Sequence, residues 1–203
     1  MQARRVLRMA VPATALFAAA AAAQVPPQPA EAVGYSLDPG HTFVHWEVQH
    51  MGTSTTRGRF DRASGNVQFD AKTQRIDIGI TIDTASVSTG LPAFDTVMRG
   101  APLLAASAHP QAFFTASRAR WEGEVPREIF GEITLRGVSK ALALRAMRWK
   151  CGLNLLFQRE VCGGDFEATL KRSDFGMTLA LPLVADDIRL LLQVEAVRGA
   201  APP

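Results

Sequence analysis

Three histidines within ten residues, His41, His45 and His50, are the side chains of this 203-residue chain best suited to metal or acid–base chemistry. On an extended strand His41 and His45 share a face and His50 points the other way, so one metal reaches all three only across a bulge. A two-histidine site also needs a carboxylate, for which Glu47 is at hand. A polar cluster of His41, His50 and Asp95 is a second candidate, and it requires separate segments to converge. Against both stands the plainer reading that these histidines hydrogen-bond locally at a rim of the fold.

Nucleophilic catalysis finds little support. Serines are plentiful, but there is no Gly-x-Ser-x-Gly turn. Asp77 and Asp83 stand six residues apart on the wet face of one strand, too far to work as a carboxylate pair. Asp186-Asp187 reads as a turn, and Asp174-Phe175-Gly176 matches a kinase motif by spelling alone. The chain is therefore read as not an enzyme, with no metal and no required cofactor. The only two cysteines, Cys151 and Cys162, lack both a Cys-x-x-Cys spacing and a neighbouring histidine. In an exported chain such a pair reads as a disulfide, contributing about 3 kcal/mol on the chain-entropy view.

Export is the expectation set by residues 1–23. Arg4, Arg5 and Arg8 precede an apolar stretch that ends in Ala21-Ala22-Ala23, the pattern of a cleaved signal peptide leading to the periplasm. Residues 24–34 follow as a Pro-rich N-terminus. Removing the three leader arginines from 22 Lys and Arg leaves 19 against 19 Asp and Glu. A neutral mature chain lacks the clustered positive charge that nucleic acid requires.

The elements that must position any site are strands. Val44, Trp46 and Val48 alternate with His45, Glu47 and Gln49, the period of a strand with one dry face. Ile76, Ile78, Ile80 and Ile82 do the same against Asp77, Gly79, Thr81 and Asp83. Further alternations run through Phe113–Trp121, Gly131–Leu135, Leu142–Trp149, Phe166–Leu170 and Ile188–Val194. Ser64-Gly65-Asn66 reads as a turn, and Cys151 to Gly164 as a loop or bent hairpin. A non-alternating stretch predicts a short helical segment between about residues 92 and 106. Eight to ten long strands favour an all-β, antiparallel barrel over a sandwich, because closure removes exposed edges. Eight strands leave room for one small ligand.

Several segments together resemble the YceI-like family of exported, lipocalin-like, polyisoprenoid-binding proteins. They are Tyr35-x-Leu37-Asp38-Pro39-x-His41-Thr42-x-Val44-x-Trp46-x-Val48-x-His50-Met51-Gly52, then Gly58-x-Phe60, Gly65-x-Val67-x-Phe69-Asp70, and Ile82-Asp83-x-x-Ser86-Val87-x-Thr89-Gly90. Asp95-x-x-Met98-Arg99-Gly100, Pro110-x-x-x-Phe114, Gly131 to Lys140 and Arg172 to Met177 continue the pattern. Ala101 to His109 departs from the aromatic and acidic run usual there.

The resemblance implies one eight-stranded lipocalin-like barrel over residues 35–198 that binds, stores or transports an isoprenoid quinone, prenyl lipid or other long-chain amphiphile. The expected lining is Val44, Trp46, Val48, Ile76, Ile78, Ile80, Ile82, Phe94, Met98, Phe114, Ile133 and Leu135. Family resemblance also implies a homodimer and, for a subgroup with a cysteine pair, membrane cytochrome partners. A stress-response or electron-transfer accessory that docks a partner is the alternative. A lipid-modifying enzyme is the third reading.

Overall fold

The structure, a computed structural model, describes residues 33–156 and 158–199. The expected signal peptide and most of the Pro-rich N-terminus lie outside the described residues. Eleven strand segments follow in order: β1 (Val33–Leu37), β2 (Phe43–His50), β3 (Ser54–Phe60), β4 (Ala63–Asp70), β5 (Arg75–Asp83), β6 (Val87–Ser88), β7 (Gln111–Glu122), β8 (Val125–Leu135), β9 (Val138–Asn154), β10 (Arg159–Lys171) and β11 (Val184–Arg198). Among the described residues one α-helix, α1 (Pro92–Arg99), and two short 3-10 turns, Thr84–Ser86 and Arg172–Phe175, interrupt them.

Pairing runs β1-β4-β5-β7-β8-β9-β10-β11, and β11 pairs back onto β1, which closes an eight-stranded antiparallel barrel. β1 with β2, and β3 with β4, are two long strands, each interrupted near its middle. Their upper halves pair with each other and with β11, and β6 extends them. Closure removes the free edges of the eight-stranded ring, and with them most of the template for edge-to-edge association; the start of β3 still lacks a second strand partner.

The dry faces anticipated from alternation are the core. Ile76, Ile78, Ile80 and Ile82 are 6–8% exposed, and each stabilises the fold by roughly 1.5–3 kcal/mol. Val44, Trp46 and Val48 join them from β2.

Two local expectations are corrected and two are sharpened. Ser64-Gly65-Asn66 is not a turn but lies inside β4; a Cβ at Gly65 would sit 2.2 Å from the Gly79 carbonyl oxygen, so glycine here serves close strand approach. Of the two readings of Cys151 to Gly164, the hairpin holds: β9 and β10 run through it and pair Cys151 with Cys162. Asp186-Asp187 belongs to β11 at a register shift, where Asp186 turns aside to accept from the Ser173 backbone N–H and hydroxyl. The short helical segment expected between about residues 92 and 106 is present as α1, which ends at Arg99 because Gly100 leaves helical geometry; turns carry the chain to Ala108.

Candidate ligand cavity

At the helix-bearing end of the barrel the inward side chains do not meet, and a cavity of about 440 Å³ remains. Its walls come from strand ends: Trp46 and Val48 of β2, Thr56 and Phe60 of β3, Leu135 of β8, Leu170 of β10, and Ile188 and Leu190 of β11. Strand geometry explains this, because residues two apart on one face stack down the lumen. Over the walls lie two covers. Phe94 and Met98, one helical turn apart on α1, face inward beside Val97, and Leu103 and Leu104 follow. Opposite them, Met177, Leu179 and Ala180 come from the segment between β10 and β11.

The helical cover is fixed at its start. Pro92 opens α1, and the Asp95 carboxylate accepts from both the backbone N–H and the hydroxyl of Thr89. Those bonds hold the Asp95 carboxyl below its ordinary range. No residue of α1 is fully buried, and Val97 is 49% exposed. Leu179 across the opening is 46% exposed, and His50 is exposed at the end of β2. The cavity thus has a greasy interior and a rim in contact with water.

Polar groups in the wall are few. Arg172 is 4% exposed, yet its guanidinium donates to the carbonyl oxygens of Ala185, Met177, Leu179 and Val184 at 2.7–2.9 Å. Burial lowers its pKa while nearby Asp186 works against that fall. Arg172 is a strut that holds the second cover in place, and four of its five N–H donors are already committed. Trp46 packs against Gly58 of β3, where a Cβ would meet its ring at 2.4 Å. Its indole N–H is buried and finds no acceptor among the described residues, at a cost of about 1–3 kcal/mol. The space therefore suits an apolar chain whose polar end stays near His50 and Thr56 at the rim.

Of the expected lining, Trp46, Val48, Phe94, Met98 and Leu135 meet around this cavity. Ile76, Ile78, Ile80 and Phe114 instead surround a separate void of about 40 Å³ towards the other end, with Tyr35, Phe69 and Trp149. Val44, Ile82 and Ile133 are buried in the core and line neither space. Sequence reading missed Leu170, Ile188 and Leu190 as lining, although their alternation was visible. It also missed Arg172 and the cover at Met177–Ala180, which has no periodicity to betray it.

The histidines do not assemble a site. His41 and His50 flank opposite ends of β2, which alone spans roughly 23 Å. His41 hydrogen-bonds Asp38 at 2.8 Å, and that contact raises its pKa. Glu195 approaches the same pair, the three donor groups lying within 4.8 Å of one another. Asp38 also closes its own turn by accepting from the Gly40 N–H. His45 is half-buried, and desolvation, with Arg59 nearby, lowers its pKa. Glu47 is paired with Arg57 and Arg189, and Asp95 with Thr89, so neither is drawn to a histidine. Cys151 and Cys162 are bonded to each other.

Comparison with known proteins places the fold and site in context. A YceI-like domain matches residues 35–196. A UPF0312 protein of Pectobacterium atrosepticum is 33% identical over 165 residues, covering 78% of this chain and 82% of that protein. Among solved structures, BcnA of Burkholderia cenocepacia superposes with a TM-score of 0.65 at 22% identity, over 78% of this chain and 98% of BcnA. A polyisoprenoid binding domain from Saccharophagus degradans, implicated in plant cell wall breakdown, gives a TM-score of 0.60 at 16% identity, over 82% and 99% of the two chains.

Proposed function

The chain belongs to the YceI-like family, and from that premise and the shape of its cavity we propose that it carries or stores a long-chain amphiphile of the isoprenoid type. The single observation that carries this reading is the apolar cavity of about 440 Å³, open at a rim that mixes apolar and polar side chains. Each methylene moved there from water contributes about 0.8 kcal/mol, so a modest length of tail suffices for tight binding. The fold shared with a domain described as polyisoprenoid binding supports the ligand class. A quinone or prenyl head group would stay at the rim, since Arg172 has its guanidinium engaged by backbone carbonyls. A non-catalytic role is part of the proposal, and the fold shared with a binding domain supports it. Periplasmic action is part of the proposal and rests on the leader pattern of residues 1–23.

Solvent extraction of the purified protein followed by mass spectrometry tests this. An isoprenoid or similar amphiphile in near-stoichiometric amount is expected. A protein that neither retains nor takes up any such molecule contradicts it.

One feature favours a second reading, docking of a protein partner. Leu153, Leu155 and Leu156, at the tip of the β9–β10 hairpin, are 68%, 81% and 90% exposed. Replacing Leu155 and Leu156 by serine should leave amphiphile uptake intact under the first reading. Under the second it should abolish the protein's physiological effect while uptake persists.

A further inference from the structure

We propose that the cavity accepts only about fifteen carbon atoms of an apolar chain, because a closed layer of core side chains forms a floor beneath it; this inference rests on the carrier reading above. A methylene fills about as much space as a water molecule, ~30 Å³, so the 440 Å³ available corresponds to three isoprene units. A longer tail has no route deeper into the barrel.

The floor is visible in how the strands cross the lumen. The cavity and the lower void of about 40 Å³ share no lining residue. On β11, Leu190 faces the cavity, and the next inward residue, Leu192, faces the void. On β2 the inward series descends from Val48 and Trp46 at the cavity to Val44, which touches neither space. On β5 it rises from Ile80 at the void to Ile82, which again touches neither. Ile133 of β8 and Leu142 of β9 complete the layer, and all four of these residues are 5–7% exposed.

Two rings lock the layer from either side. Trp46 is pressed against Gly58, and Phe114 lies across Gly131, where a Cβ would come within 2.6 Å of the ring. Interiors packed in this way resemble molecular crystals and do not open for a chain end without displacing side chains. The surplus of a longer tail must therefore leave through the rim, past half-exposed Val97 and Leu179.

The test is the affinity of the full chain for prenyl alcohols of two, three, four and eight isoprene units, each measured by displacement of one bound fluorescent fatty acid. Affinity should rise at least about tenfold from two units to three, and change less than about threefold beyond. A steady climb through eight units overturns the floor and leaves the carrier reading standing. No binding at any length overturns both. Two variants guard against an accidental plateau. Ile133→Ala should move the plateau to four units, and Val48→Trp, which fills the cavity from its wall, should remove the gain between two units and three. An unchanged length profile in both variants also overturns the assignment.

Discussion

Arg172 is the residue whose loss should be felt most widely. It is buried, carries a charge, and satisfies four backbone carbonyls of the segment that covers the cavity. Arg172→Leu keeps the bulk but leaves those carbonyls without their donor, and should destabilise the protein by about 3 kcal/mol in denaturant unfolding. Tyr35 offers a cleaner spectroscopic reading because it is the chain's only tyrosine. Burial, and then the hydrogen bond it donates to Glu160, push its pKa up to about 12. The neutral phenol is thus favoured by folding: its contribution is complete below the ordinary value near 10 and is lost as pH rises through about 12. Tyrosinate absorbance should appear near pH 12 in the native protein and near 10 in denaturant; a native midpoint near 10 would contradict the buried placement. The inward parity of Val44, Trp46 and Val48 was readable from alternation alone. Which of them faces empty space was not, because that depends on side chains from four other strands, α1 and the segments beside them. Arg172 stood out in the sequence only as the start of a family-like segment, and nothing local marks a guanidinium aimed at its own chain's carbonyls.

At the scale of elements, two devices work on opposite ends of the barrel. The Cys151–Cys162 bond staples β9 to β10 just below an exposed leucine tip. Replacing both cysteines by serine should cost about 3 kcal/mol on unfolding, yet leave amphiphile affinity unchanged, since neither cysteine lines the cavity. Helix α1 should behave in the opposite way. It contains no fully buried residue, so Phe94→Ala should shift the melting temperature little but weaken amphiphile binding by about tenfold or more. Calorimetry and ligand titration on the same two proteins check this reciprocity. Strand existence was readable wherever one face is dry, as in Ile76–Ile82. It failed at Gly65 and at Asp186-Asp187, where residues typical of turns serve a close strand approach and a register shift. Between Cys151 and Gly164 alternation left loop and bent hairpin both open; the hairpin forms, and Gly163 and Gly164 allow β10 to pass close to its neighbours.

For the whole molecule, closure of the sheet by β11 on β1 follows from pairing between the two ends of the described chain. Alternation in separate strands could favour a barrel but could not show that the ring closes, because register is a long-range property. The same limit hid the partition of the lumen: a row of isoleucines looks identical whether it lines a tunnel or fills it. Here β5 fills its end, while the end under α1 stays open. The central claim is that an amphiphile's tail occupies that open end. A three-unit isoprenoid alcohol bearing a photoreactive diazirine at its tail, crosslinked to the purified protein and mapped by peptide mass spectrometry, tests it most directly. The account predicts adducts on cavity residues such as Phe94, Met98, Leu170 and Leu190. Adducts confined to Leu155 and Leu156 at the hairpin tip, or none above the level of a scrambled background, would contradict it.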